Sequence, residues 1–205
     1  MTYTVHEAFL TLQGEGANMG RAAVFCRFAG CNLWNGREED RASAVCRFCD
    51  TEFRGGRRWP NVADLADHLG SLWGRRAGKP LAVFTGGEPL LQLDAALVDA
   101  CRRQGFEVAV ETNGTLPLPC PLDWVCVSPK AGAPLVLDRA DELKLVFPHE
   151  GLSPDDLDAV PARHRWLSPM DGPRLAENTA AALARCLADP RWRLNIQAHK
   201  VWGVR

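Results

Sequence analysis

An open, partial α/β barrel of mostly parallel strands is the architecture expected of these 205 residues. Three observations lead there. Short apolar, β-rich runs recur along the chain with amphipathic helical segments between several of them, the alternation that builds parallel sheets. Each run ends in polar or small residues, as strands do when a barrel gathers its working groups at their carboxyl ends. The chain is also too short for eight complete strand–helix units, which take roughly 250 residues. That length, 46% of it hydrophobic, suits a single domain over 1–205 with one substantial core.

The runs, in order, are AAVFCRFAG, LAVFTGG, EVAVETNG, DWVCVSPK, ELKLVFPH, RWLSPMDG and LNIQAHK, each read as a strand. Apolar spacing predicts helices over 61–73, 93–105 and 176–189, with a shorter one in SPDDLDAV near 153, and Gly105 and Pro190 stop two of them. Crossover helices are expected to be weak or missing over 114–123 and 131–141. GGRRWP (55–60) and GRRAGKP (74–80) read as exposed basic turns. The strand ends supply Thr85-Gly86-Gly87-Glu88, Glu111-Thr112-Asn113, Ser128-Pro129-Lys130, Ser168-Pro169-Met170-Asp171 and Gln197-Ala198-His199-Lys200, five stretches expected around one pocket. Lysine is scarce, four against twenty arginines, and three of the four (Lys130, Lys144 and Lys200) fall at or near those ends.

Twenty-four basic residues against 25 acidic give no summed charge that would favour nucleic acid or an anionic membrane. The opening MTYTVHEAFLTLQGEG lacks a signal-peptide pattern and no long apolar span follows, so the cytoplasm is the expected location. Eight cysteines in such a chain point to metal rather than to a disulfide framework. Cys101, Cys120, Cys126 and Cys186, in apolar or Pro-rich surroundings, are expected to pack as small hydrophobes.

The other four cluster as C-x4-C-x14-C-x2-C from Cys26 to Cys49, close to zinc-ribbon spacing. Strand alternation argues against Cys26: it shares a face with Val24 and Phe28, while Arg27 points to the polar side. Three thiolates, Cys31, Cys46 and Cys49, then remain. That number suits an iron–sulfur cluster with one iron lacking a protein ligand, since such clusters otherwise take four cysteines.

Three clustered cysteines followed by a strand ending in GGEP (86–89) resemble the radical S-adenosylmethionine enzymes, although their usual spacing is C-x3-C-x2-C and this chain has fourteen residues in the first gap. LQGEG (12–16), Arg27 before AGCNLW, FCDT (48–51), TGGEP (85–89), ETNG (111–114), SPK (128–130), PMDGP (169–173) and QAHK (197–200) extend the likeness. Across nearly the whole length the chain resembles the 7-carboxy-7-deazaguanine synthases, in which an expanded cysteine loop is a variant. The loop here spans 31–51.

The resemblance implies conversion of 6-carboxy-5,6,7,8-tetrahydropterin to 7-carboxy-7-deazaguanine with loss of ammonia, on the way to queuosine and related 7-deazapurines. It implies a 4Fe-4S cluster, S-adenosylmethionine and Mg2+ as cofactors, a 5'-deoxyadenosyl radical as the initiating species, a flavodoxin as reductant and a homodimer. By the same likeness Cys31, Cys46 and Cys49 hold the cluster. Phe48, Cys49, Asp50, Gly87, Ser128, Pro129, Lys130, Ser168, Pro169, Met170 and Asp171 surround S-adenosylmethionine. Leu12, Gln13, Gly14, Glu15, Arg27, Thr85, His199 and Arg205 meet the substrate, Arg27 as a fork for its carboxylate and Glu15 for its amino-pyrimidinone edge. Thr51 gives its hydroxyl to magnesium, a hard ion that prefers oxygen. Glycines 86 and 87 are expected to let backbone approach a ligand. Two rival readings differ at these residues: a glycyl-radical-type activase, which should lack LQGEG with Arg27, and a zinc-binding adaptor or RNA-binding module using all four clustered cysteines.

Overall fold

The computed structural model describes residues 2–205. Nine strands form one sheet, in the order β3-β1-β2-β4-β5-β6-β7-β8-β9. The strands are β1 (Tyr3–Leu12), β2 (Ala22–Phe28), β3 (Arg57–Trp59), β4 (Leu81–Gly86), β5 (Glu107–Thr112), β6 (Trp124–Val127), β7 (Ala140–Phe147), β8 (Ala162–Pro169) and β9 (Arg193–Leu194). From β2 through β9 neighbours run parallel, while β1 pairs antiparallel with both β2 and β3. β3 and β9 are not joined, so the barrel is open, as expected.

Alternation along the strands sorts side chains between two layers. One face packs under the helices: Val24, Cys26 and Phe28 of β2, Ala82 and Phe84 of β4, Val108 and Val110 of β5, and Leu143 and Leu145 of β7 are all fully buried there. The opposite face is the concave interior. Its lower end is plugged by Ala23, Leu81, Val83 and Ala109, with Phe25 and Trp124 against them; its upper end is polar and open.

Three helices cover the outer face. Helix α1 (Val62–Trp73) starts where Asn61 accepts a hydrogen bond from the Asp64 amide at 2.9 Å, and it buries Leu65, Ala66, Leu69 and Trp73. Helix α2 (Ala95–Arg103) is capped by Asp94, which also accepts from the Tyr3 hydroxyl at 2.9 Å and so ties the helix to β1. Helix α3 (Leu175–Ala188) follows β8. As expected, 114–123 and 131–141 carry no helix.

Four expectations need correction. Strand β1 was not anticipated, because a bulge between Val5 and Glu7 breaks its alternation: Tyr3 and Val5 face the core, yet beyond the bulge Ala8 and Leu10 do. GGRRWP is partly an edge strand rather than an exposed turn, since Trp59 is buried, stacked on His68, with the Arg57 guanidinium 4.0 Å above it. SPDDLDAV forms only the 3-10 turn Asp155–Leu157, where Asp156 accepts from the Ser153 amide and Leu157 alone is buried. Of LNIQAHK only Leu194 lies in a strand, the two-residue β9; the chain then leaves the sheet and forms the short helix α4 (Ala198–Trp202).

Candidate active site

The upper end of the concave face is a cavity of about 430 Å³. All five strand-end stretches contribute to its lining. Of the residues singled out from sequence, Leu12, Gln13, Gly14, Glu15, Arg27, Cys31, Cys46, Phe48, Cys49, Asp50, Thr51, Thr85, Gly87, Ser128, Lys130, Ser168, Pro169, Met170, Asp171, His199 and Arg205 line it; Pro129 does not.

One wall is the cysteine loop. Cys31 leaves β2 after Gly30, and its Sγ accepts from the Leu33 amide at 3.4 Å. Fourteen residues later the chain comes back to the same point, because the amides of Val45 and Cys46 both donate to the Leu33 carbonyl, at 3.1 and 3.3 Å. That return brings Cys46 and Cys49 to the cavity. The neighbouring Cys46 and Cys49 thiols act on each other, which draws Cys49 down to about 6 and pushes Cys46 up. Burial raises the Cys31 thiol, opposed by the amides of Leu33 and Trp34. Cys26 takes no part: it lies on the helix-covered face, fully buried with Val24 and Phe28, and burial raises its thiol. Among the described residues no three His, Cys, Asp or Glu side chains converge closely enough for a single metal ion. Cys26, on the opposite face of the sheet, does not join Cys31, Cys46 and Cys49 at the cavity as a fourth equivalent zinc ligand would.

Behind this wall sits Glu88, fully buried, its carboxylate accepting from the Leu90 amide at 3.0 Å, the Thr112 hydroxyl at 2.7 Å and the Asn113 amide at 2.8 Å. Burial raises its pKa, opposed by those donors. Asn113 in turn donates to Asn32 at 3.0 Å, and Asn32 donates to Thr115 at 2.7 Å. The acid of GGEP thus fixes the β5 end, and through it the residue after Cys31. The glycines beside it serve a related purpose. A Cβ on Gly87 would stand 2.0 Å from the Gly30 carbonyl oxygen, so the close approach of the chain itself already requires glycine there.

The floor is a buried ionic network. Lys144 of β7 donates to Glu15 at 2.7 Å and to Glu111 of β5 at 2.9 Å, and only 12% of its side chain is exposed. Glu111 also accepts from Gln13 at 2.9 Å, and Glu15 accepts from Asn195 and Gln197, both at 3.3 Å. Burial disfavours charge on Lys144, but Glu111 and Glu15 outweigh it and hold the ammonium well above the ordinary lysine range. Glu111 is likewise drawn below the ordinary carboxylate range by Lys144, against the opposing effect of burial. Above this floor Arg27 donates to Glu7 at 3.0 Å.

The remaining rim comes from β6, β8 and the chain end. Lys130 donates to the Ser128 carbonyl and hydroxyl at 2.6 and 2.7 Å, with the Phe48 ring 5.9 Å from its ammonium. Asn178 of α3 holds the Met170 carbonyl at 2.8 Å, and Asn195 donates to Ser168 at 2.8 Å. His199 rests on Gly14, where a Cβ would come within 2.4 Å of its Nδ1, and the Ala198 amide donates to the Gly14 carbonyl at 2.9 Å. His199 and Lys200 therefore reach the cavity from α4, not from a strand end. Arg205 lies over Phe9, and its carbonyl accepts from Thr11 at 2.6 Å.

Sequence reading gave no role to several residues now in the site. Lys144 was noted only as a scarce lysine near a strand end, Gln197 only as part of the Gln197–Lys200 stretch, and Asn195 not at all. His149 packs edge-on to Phe48 at 4.9 Å, and burial lowers its pKa. Cys126, expected to be inert packing, lines the cavity near Lys144, with its thiol raised by burial. The alternation Glu142, Lys144, Val146 in β7 was the available signal, because it places a charged pair on the concave face of an otherwise apolar strand.

The arrangement has known counterparts. Residues 41–143 match the family model of the radical SAM superfamily, a span that includes Cys46 and Cys49 but begins after Cys31. The chain is 55% identical to the 7-carboxy-7-deazaguanine synthase of Bordetella pertussis and 54% identical to that of Bradyrhizobium diazoefficiens, in both cases over all of each protein. Its structure is similar to the crystal structure of QueE from Escherichia coli, with a TM-score of 0.72 and 29% identity over 97% of this chain and 95% of that one. By full-length similarity, by its radical SAM match and by its open barrel, the chain belongs to the 7-carboxy-7-deazaguanine synthase family of the radical SAM superfamily.

Proposed function

We propose that this protein converts 6-carboxy-5,6,7,8-tetrahydropterin to 7-carboxy-7-deazaguanine with release of ammonia. One observation carries the reading: a single cavity has three free thiols on one wall and a buried, charged, hydrogen-bonding floor facing them.

Cys31, Cys46 and Cys49 would hold a 4Fe-4S cluster, and Phe48, Asp50, Gly87, Ser128, Lys130 and Ser168 through Asp171 would enclose S-adenosylmethionine. When bound, that pair supplies the one-electron chemistry that begins with removal of hydrogen from the substrate. The chain's own part is placement. Glu15 and Glu111, fixed by Lys144, present carboxylate oxygens to an amino-pyrimidinone edge, and Gln13 adds an amide to the same floor. Arg27, on the same face, meets the substrate carboxylate, with Thr85 beside it, while His199 and Arg205 close the pocket from the chain end and keep water out. Thr51 offers its hydroxyl to Mg2+ at the wall, and a lone hydroxyl there makes tight metal binding depend on substrate oxygens. Pro129 acts from behind, by stiffening the Ser128–Lys130 turn.

The reading extends to a flavodoxin-type reductant, a second copy of the chain and a cytoplasmic location. Among the described residues no helix is long and apolar enough to cross a membrane.

Anaerobic reconstitution of the purified protein with iron and sulfide, followed by spectroscopy with and without S-adenosylmethionine and incubation with the carboxypterin, tests the proposal. The expected result is a cluster whose spectrum changes on adding S-adenosylmethionine, and formation of the deazaguanine acid. A protein that takes up the cluster but leaves the carboxypterin untouched would refute the substrate assignment.

A further inference from the structure

Among the fourteen residues between Cys31 and Cys46, one basic side chain turns inward. Within their 3-10 segment, Glu38–Ser43, Arg41 is only 27% exposed at the side chain. Its Nη1 donates to the Arg47 carbonyl at 2.9 Å and to the Cys49 carbonyl at 3.0 Å, so one nitrogen spans the turn between Cys46 and Cys49. Its Nε donates to both carboxylate oxygens of Glu38, at 2.9 and 2.8 Å, which fixes the plane of the guanidinium. That plane lies 4.1 Å from the ring centroid of Trp34. Trp34, buried three residues after Cys31, is itself held by its indole N–H on the Arg37 carbonyl at 3.0 Å and by an edge contact with Phe53. One cation thus touches the segments that carry all three cysteines.

We propose that Arg41 is a positioning residue: it sets the separation of Cys31 from the Cys46–Cys49 pair before anything binds between them. Two intervening residues keep Cys46 and Cys49 together by chain length alone, whereas a fourteen-residue gap leaves Cys31 with no such tie, and closing it loses chain entropy. A rigid guanidinium fork that bonds two carbonyls and stacks on an indole adds a side-chain constraint to the two amide bonds on the Leu33 carbonyl. The loop thereby carries its own brace. This inference rests on the reading that these three cysteines hold the cluster.

Hydrogen exchange of the metal-free protein, followed over residues 45–50, tests it for wild type, Arg41→Ala, Arg41→Lys and the neighbouring control Arg37→Ala. Arg41→Ala should speed exchange there by at least about tenfold, as loss of two charge-assisted bonds implies, while β4 to β7 exchange as before. Iron and sulfide bound after anaerobic reconstitution should fall severalfold in Arg41→Ala and recover partly in Arg41→Lys, whose ammonium can still reach one carbonyl and the ring. Arg37→Ala should match wild type in both. Unchanged exchange over 45–50 in Arg41→Ala, or faster exchange with full cluster uptake, overturns the brace. If Arg41→Ala fails to fold, Arg41→Gln, which keeps an N–H donor without the charge, is judged by the same two measurements. A wild-type protein that binds no cluster would instead refute the cysteine assignment, and the exchange result would still decide whether Arg41 orders the loop.

Discussion

The floor and the cysteine wall face each other across one cavity but are built by different means. On the floor, Glu111 and Lys144 sit on strands β5 and β7, where the parallel ladder sets their height and facing, and burial makes their attraction strong. On the wall, Cys46 and Cys49 sit in a long irregular loop with no strand partner, located by the Leu33 carbonyl, Arg41 and the anchored Asn32. A site group placed by the sheet shares the stability of the whole fold, whereas one placed by a loop depends on a few bonds. Substitutions on the floor should therefore threaten folding, and those at the wall should act locally.

The sharpest way to break that contrast is Lys144→Met. It strands two carboxylates below the cavity with no cation between them, a change that costs about 3–5 kcal/mol in comparable buried pairs. Denaturant unfolding should show a loss of that size, together with loss of turnover. A loss under about 1 kcal/mol would mean that the floor is wet and its ion pairs are weak.

Next in size is Glu88→Gln. Its two oxygens accept from three donors, and an amide nitrogen in place of either oxygen would point an N–H at another donor. One buried clash of this kind costs about 1–3 kcal/mol, and because Glu88 links the β5 end to Asn113 and Asn32, exchange should also quicken just after Cys31. Full stability in the variant would show that the node is not what joins the two regions.

Acid should then distinguish them further. Glu111 has a folded pKa below its ordinary value because Lys144 favours its charged form. The stability it supplies is complete above the unfolded value of about 4.3 and is lost as pH falls through the lower folded value. Compared with wild type, Glu111→Gln should be less stable by about 1–2 kcal/mol near neutrality, and the difference should shrink below about pH 4. A difference that stays constant with pH would show that Glu111 contributes by packing rather than by charge.

The same contrast explains what was legible in the sequence. Strands β2 and β4 to β8 announce themselves because strict alternation puts Val24, Cys26 and Phe28, or Leu143 and Leu145, on one buried face. It also excluded Cys26 from metal binding and aimed Arg27 into the cavity. Alternation fails where the backbone does something local: the bulge in β1 reverses its facing, and β9 is only two residues long before Asn195 turns its side chain into the floor. The partners of the floor were invisible for another reason. Glu15, Glu111 and Lys144 are separated by 96 and 33 residues, and nothing in their neighbourhoods states that they meet. Likewise Gly87 announced a close approach, but only the fold shows that Gly30 is what approaches.

The smallest expected effect tests whether the wall is closed by the chain end. Lys200 of α4 reaches Asp50 beside Cys49 at 3.2 Å and also pairs with Asp171 after β8, so it clasps three rim segments. All three groups are 40–50% exposed at their side chains, where water and salt weaken such pairs to about 0–1 kcal/mol. Lys200→Ala should therefore leave unfolding almost unchanged and merely loosen α4, seen as faster exchange over 198–202, with the difference from wild type reduced in high salt. If instead the variant loses more than about 2 kcal/mol, the clasp is part of the folded core, and the wall draws its order from the C-terminal helix as well as from its own loop.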